Sequence, residues 1–333
     1  MKKGWMILLL LVLLGGGAII TILVQNDFAI NEQAVTINTP SGRLTGVLAL
    51  PEEYSGKLGL VLFIHGDGPI DATHNDGYKP LWERLASLGY ASLSMNKRGI
   101  EGSEGSWLEQ SMEDRVEEAQ QAIAWSRTQP MIDGDRIGVW GASQAGWVVP
   151  KLAGQEPLAF SILVSPAINW LSQGEYYTRS RMAKEGRSQA EIGQQIAYEK
   201  GINGLLRREA SYEDYVASAK SDEAMTRERW AFVSKNYRSD ATADLRHFHS
   251  PVLLLLGAAD RNVDIKETER IYRLTVQPSD LLHIRVFKET EHSMLPLSTA
   301  DSPLRAWMIS LFAPRRITVD GYMEEIEDFL VHL

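Results

Sequence analysis

The chain contains no cysteine. That absence excludes disulfides, thiol nucleophiles and cysteine-ligated metal, and it suits an oxidising compartment. Positive charge is also scarce. The 34 Lys and Arg against 43 Asp and Glu leave a net charge of −9, which argues against a nucleic-acid-binding surface. No low-complexity tract and no internal repeat is present, so repeat architectures are set aside. Residues 97–99 and 102–105 loosely match a glycine-rich phosphate loop. No Gly-Lys-Ser/Thr follows a strand-like run, so nucleotide binding is unsupported. Metal ligation has little to build on. Asp71, His74 and Asp76 have loose ligand spacing but lie in what reads as a hydrogen-bonded loop, and His247 and His249 have no supporting carboxylate nearby. The sequence therefore calls for no metal and no organic cofactor. What remains is globular, at 44% hydrophobic and 23% charged residues, and 333 residues suffice for one large α/β domain or two ordinary ones.

Charge is absent again near the N-terminus, where it is informative. Lys2 and Lys3 precede a charge-free run over 5–24. About 20 apolar residues rising 1.5 Å each match a hydrocarbon core of roughly 30 Å. An uncleaved signal anchor over 1–25 is the favoured reading. The two lysines would stay cytoplasmic and the body would face outward. The alternative is a cleaved signal peptide, for which Gly16-Gly17-Ala18 offers a small-residue site. The apolar run continues past it, however, and a mature protein would begin awkwardly there.

Beyond residue 26 short apolar runs alternate with helical patterns. Residues 34–50 read as two strands about a turn at 39–42. Strands follow at 59–64, 91–95, 136–140, 160–164, 251–256 and 282–287. Helices are expected over 80–88 and from an N-cap at Ser111 to near Gln129. Short buried strands separated by helices mean a parallel sheet covered on both faces, with its chemistry at the strand carboxyl ends. Residues 170–249 carry no strand signal and have helix starts at Ser188, Ser211 and Ser221. They read as a helical cap inserted after the sixth main strand, with 247–249 as the seam where it rejoins the sheet. Most of the cap aromatics read as its own core, and a few are expected to face the site.

Within this pattern Gly141-Ala142-Ser143-Gln144-Ala145-Gly146 stands between a strand and a helix that Pro150 confines to its first turn or kinks. A serine between small residues at such a junction is a nucleophile elbow, because the strained turn leaves no room for bulk two residues away. Ala145 occupies the usual second glycine position, and Gly146 comes one residue late. A nucleophilic serine needs a base, and the base needs an orienting carboxylate. Asp260 ends the apolar run 252–256, and His292 follows the strand at 282–287. The order Ser143, Asp260, His292 is the one expected of this fold. Asp264 and Glu291 are fallback carboxylates read as structural. Oxyanion donors are expected from the Gln144 N–H and the Asp67 N–H, the latter in the loop His65-Gly66-Asp67-Gly68-Pro69, with the Asp67 carboxylate bonding back to local backbone. His65 reads as a packed strand-end residue.

On these segments, together with Asn96-Lys97-Arg98-Gly99-Ile100-Glu101-Gly102-Ser103, Gly257-Ala258-Ala259-Asp260 and Glu291-His292, the chain resembles the α/β-hydrolase superfamily. The likeness is to its serine-aminopeptidase-like and dienelactone-hydrolase-like esterases. The family commonly has aspartate where Asn96 stands, so the resemblance supplies no ion pair between Asn96 and Arg98. It implies an α/β-hydrolase fold with a mostly parallel eight-stranded sheet flanked by helices, in a core of 26–169 and 250–333 under a cap of 170–249. It also implies hydrolysis through an acyl-enzyme. Cleavage of a small-molecule ester or acyl substrate by Ser143, His292 and Asp260 is the expected activity. Aminopeptidase, amidase or acyltransferase chemistry on the same triad is an alternative, with Glu175, Glu185 and Glu191 as candidate amine-binding carboxylates. A catalytically silent binding protein is the alternative from another class.

Overall fold

The structure is a computed structural model that describes the backbone of residues 2–333 and the side chains of 13 and 15–333. One sheet of eight strands organises it, in the order β1-β2-β4-β3-β5-β6-β7-β8. The strands are β1 (Ile30–Thr39), β2 (Gly42–Pro51), β3 (Leu58–Ile64), β4 (Tyr90–Met95), β5 (Ile132–Ala142), β6 (Ser161–Val164), β7 (Val252–Gly257) and β8 (Leu282–Phe287). Only β2 runs against its neighbours β1 and β4, and every pairing from β4 through β8 is parallel. Every residue of β3, β6 and β7 is buried, as it must be in strands covered on both faces.

Helices cover those faces. The N-terminal helix α1 (Lys2–Gln25) precedes the sheet, and α2 (Lys79–Ser87) leads into β4. Helix α3 (Met112–Arg127) opens with a reciprocal capping box between Ser111 and Asp114, which satisfies two N–H groups the helix cannot. It ends at Arg127, just before the expected stop near Gln129. Helix α4 (Val149–Ala153) is short because Pro150 occupies its first turn and the preceding 143–147 is a tighter 3₁₀ turn. Between β6 and β7 the chain inserts α5 (Trp170–Lys184), α6 (Gln189–Arg207), α7 (Tyr212–Ser218) and α8 (Arg227–Asn236). Then come α9 (Ile265–Thr275), α10 (Leu297–Ala300), α11 (Pro303–Phe312) and α12 (Tyr322–Val331).

Ser188 and Ser211 cap helices, each with a returning carboxylate, but Ser221 starts none. Its third following residue is Ala224, which has no group to return to the cap. The helix starts instead at Thr226, whose hydroxyl accepts from the Arg229 N–H at 3.2 Å. Stacked Tyr215 and Trp230, with Phe232, form the core of this insertion. The membrane-spanning expectation over 1–25 falls mostly on side chains outside the described residues. Among the described residues no helix is long and apolar enough to cross a membrane.

Gly138 shows how tightly the sheet meets its neighbours. A Cβ there would lie 2.3 to 2.5 Å from three ring atoms of fully buried Phe160. Gly138→Ala is expected to lower stability by about 1–3 kcal/mol through overpacking and to drop Tm by several degrees. Adding Phe160→Leu is expected to recover part of the loss. Thermal melts of the single and double variants check both, and an unaltered Tm in the single variant contradicts the contact.

Candidate active site

Ser143 follows directly on β5 and carries a left-handed backbone, φ 54°. For a residue with a Cβ that conformation is strained, and it projects the side chain off the strand end. The neighbours explain the spacing. A Cβ on Gly141 would come within 2.8 Å of the Ala145 Cβ and 2.9 Å of Val149 Cγ2, so the methyl of Ala145 fills the space that Gly141 leaves. A Cβ on Gly146 would lie 2.5 Å from the Ala167 carbonyl oxygen. The displaced glycine of the motif therefore serves the contact with the segment after β6.

Asp260 stands three residues past β7, its side chain fully withdrawn from solvent. One oxygen accepts from the Asn262 and Val263 N–H groups at 2.7 and 2.9 Å. The other lies 2.8 Å from Nδ1 of His292, on the loop after β8. Gly257 permits this meeting, because a Cβ there would sit 2.6 Å from the carbonyls of Thr290 and Glu291. The two fallback carboxylates are spent locally. Asp264 caps α9, and Glu291 accepts from the Ser293 and Leu295 N–H groups. Ser143 and His292 share no hydrogen bond; such contacts often close only around substrate.

The loop after β3 lies against the serine. A Cβ on Gly66 would be 3.4 Å from that of Ser143. Two buried cations hold the loop by its carbonyls. Lys97 Nζ donates to Gly66 O at 2.5 Å, and Arg115 donates to His65 O at 2.5 Å and to the Gln144 side-chain oxygen at 2.6 Å. In a trans peptide C=O and N–H point in opposite directions. With the Gly66 carbonyl turned to Lys97, the Asp67 N–H of the same peptide faces away from it. The Gln144 N–H belongs to the first helical turn, where N–H groups lack intrahelical partners. Burial, aided by Arg115, pulls Lys97 well below its ordinary pKa, and burial lowers Arg115 to about 10.

Asp67 extends one expectation. Its carboxylate keeps a local backbone bond, to Gly68, but does more than that. It reaches the insertion, where Arg229 of α8 grips both oxygens at 2.8 and 3.2 Å, and it also accepts from the Gln144 amide at 3.1 Å. Burial alone would raise its pKa; the Arg229 hydrogen bond and charge outweigh that and hold it below the usual carboxylate value. Arg98 pairs with Glu118, while Asn96 bonds the Ala72 N–H and the Thr45 hydroxyl. The loop at 71–76 is tied by Asp71 to Thr73 and Asn75. Sequence reasoning does not reach Arg229, Lys97 and Arg115 as site residues. Arg115 left one signal, a charge beside the core-facing stripe Met112, Val116 and Ala119 of α3.

Ser143, Gln144 and Asp67 line a cavity of about 420 Å³ together with Trp147, Trp170, Tyr177, Arg229 and Asn262. A second cavity of about 730 Å³ inside the insertion shares Trp170, Gly174 and Tyr177 with it. A strained serine at a strand end, with a hydrogen-bonded carboxylate–imidazole pair two and three strands along, is an arrangement that suits acyl transfer.

The family model described as serine aminopeptidase, S33, matches residues 56–296. The chain belongs to that family. It is a serine hydrolase of the α/β-hydrolase superfamily, and esterases and peptidases are among its relatives. The hydrolase is 25% identical over 150 residues, or 43% of its length, to dipeptidyl-peptidase 5 of Porphyromonas gingivalis, and the match spans 22% of that longer protein. In fold it resembles an esterase of Pyrococcus furiosus, with a TM-score of 0.58, 16% identity and 91% of each chain covered. It also resembles an acylaminoacyl peptidase of Pyrococcus horikoshii, with a TM-score of 0.54, 15% identity, and 93% of this chain but 42% of that one covered.

His65 backs this site without entering it. Its ring lies between the Tyr78 hydroxyl at 3.1 Å and the Met95 carbonyl at 2.7 Å. Burial first, and the Lys97 charge second, lower its pKa to about 3. The unfolded chain takes a proton there below about pH 6.5, and the folded chain refuses it until about pH 3. Its contribution to stability is therefore complete above pH 6.5 and lost as pH falls toward 3. Tm measured across that interval is expected to fall more steeply in the wild type than in His65→Gln; parallel curves would contradict the buried neutral ring.

Proposed function

We propose that the hydrolase cleaves carboxylic esters through an acyl-enzyme. Ser143 attacks the carbonyl, and His292 takes its proton and returns it to the leaving alcohol. Asp260 holds the imidazole in the tautomer this requires, and the N–H groups of Gln144 and Asp67 receive the oxyanion. Water then releases the acid with His292 as base. The observation that carries this reading is the 2.8 Å bond between His292 and Asp260 at the end of the sheet that bears Ser143 on its elbow. The turned Gly66–Asp67 peptide supports the oxyanion assignment. For α1 we propose a membrane anchor with the catalytic domain outside the cytoplasm, supported by the charge-free run over 5–24 behind two lysines.

Amide hydrolysis at an amine-bearing substrate is the second reading, and Glu199 favours it. It lines the larger cavity and accepts from Thr178 and Gln195, with no cationic partner among the described residues. Glu175, Glu185 and Glu191 are each engaged by arginine, so they are poorer amine receptors. A panel of acyl esters and aminoacyl amides separates the two. Ester turnover insensitive to Glu199→Gln favours the first reading, and amide turnover lost in that variant favours the second.

A fluorophosphonate probe is expected to label the wild type and to leave Ser143→Ala unlabelled with a near-normal Tm; equal labelling would remove Ser143 from the role. Asp260→Asn is expected to cut turnover by about 10⁴, the figure known for the equivalent change in a trypsin-type triad. Retention of more than about a tenth of activity would transfer the orienting role to another carboxylate.

A further inference from the structure

Helix α11 has the composition of a core element and none of the burial. Its sequence, Pro-Leu-Arg-Ala-Trp-Met-Ile-Ser-Leu-Phe, holds a single charge, yet no residue in it is buried. Leu304 is 69% exposed, Trp307 56% and Met308 43%. Isolated exposed apolar residues are ordinary, but three large ones on an apolar helix that buries no residue mark a surface that meets something other than water.

The neighbour of α11 indicates what that is. Helix α1 packs against it. The join is fixed by polar bonds at one end: the Asn26 amide donates to Leu311 O at 2.8 Å, and Arg315 donates to the carbonyls of Gln25 and Asp27 at 2.7 and 2.8 Å. On α1 the described side chains Leu13, Ile19, Ile20, Leu23 and Val24 are likewise exposed. The apolar surface of α11 is thus continuous with that of a helix whose sequence is free of charge from residue 5 to 24. An aromatic ring with a polar edge, Trp307, and two cations, Arg305 in the first turn and Arg316 beyond the end, complete the composition of an interfacial helix.

We infer that α11 lies in the membrane interface beside α1 and seats the catalytic domain on the lipid surface. The inference rests on the anchored reading of α1. It places the site close to lipid. Asp301, two residues before α11, bonds Lys184 at the end of α5 at 2.6 Å and Arg261, next to Asp260, at 3.3 Å. The orienting-acid loop and the cap are therefore bonded to the segment that enters the seated helix. The substrates that fit this placement are amphiphilic esters partitioned into the bilayer.

The test uses the full chain reconstituted in phosphatidylcholine vesicles, with and without bromine on the acyl chains. Bromolipid quenches tryptophans that reach the bilayer. Trp307→Phe is expected to lose about half of the quenching, because Trp307 is the one exposed tryptophan among the described residues. Quenching equal in wild type and variant would overturn the seat of α11. So would a photo-crosslinker at position 307 that captures a second copy of the chain instead of lipid. Quenching absent from both proteins would overturn the anchored reading along with it. Trp307 is not one of the proposed catalytic groups, so fluorophosphonate labelling reports the fold and the hydrolase reading separately in the same samples.

Discussion

The site depends on two buried cations that grip backbone carbonyls. Lys97 and Arg115 hold the carbonyls of Gly66 and His65, and Arg115 also holds the Gln144 side chain. A buried cation is costly unless it is paired and hydrogen-bonded. Here the pairing includes the Asp67 and Glu118 carboxylates, whose fields favour the charged form of both residues. The clamp orients the peptide between Gly66 and Asp67, and its N–H direction follows from planarity alone. Any substitution that freed either carbonyl would let that peptide rotate without altering the triad residues.

The elbow is the second constraint, and it is solved by the placement of small residues. Positive φ at Ser143 brings the following turn back onto β5, so Gly141 must yield to Ala145 and Val149, and Gly146 must yield to Ala167. The usual arrangement places its second glycine at 145. In this chain the close backbone approach has moved one residue on, which leaves room for alanine at 145. The motif therefore departs in spelling while meeting the same steric demand.

Local rules made much of this visible in advance. Short apolar runs mark β3, β6 and β7, helix starts are legible at Ser111, Ser188 and Ser211, and chain order brings Asp260 and His292 together as a pair. What stayed hidden was long-range. Arg229 meets Asp67 across 162 residues of sequence, a distance over which no spacing rule operates. The side chain of Asp67 keeps the local backbone bond that aspartate so often makes, and only the tertiary fold supplies the arginine it also meets. Ser221 failed as a cap for a local reason, the absent carboxylate at Ala224. Helix α11 went unrecognised because a short apolar helix has no polar face to give its period away.

In the proposed mechanism the Arg229–Asp67 pair gives the insertion a part in the chemistry. Arg229 also lies against the rings of Trp107 and Phe232, so its guanidinium is held on one side by aromatics and on the other by the carboxylate. Asp67 in turn bonds the Gln144 amide, and the backbone N–H groups of these same two residues are the proposed oxyanion donors. A carboxylate facing a developing oxyanion would oppose it. Bound by arginine, the same carboxylate is neutralised and becomes a strut between the donor loop and the helix after Ser143. Removing the guanidinium would loosen the cap and also restore a free negative charge beside the carbonyl under attack, so cap position and transition-state electrostatics are coupled through one ion pair.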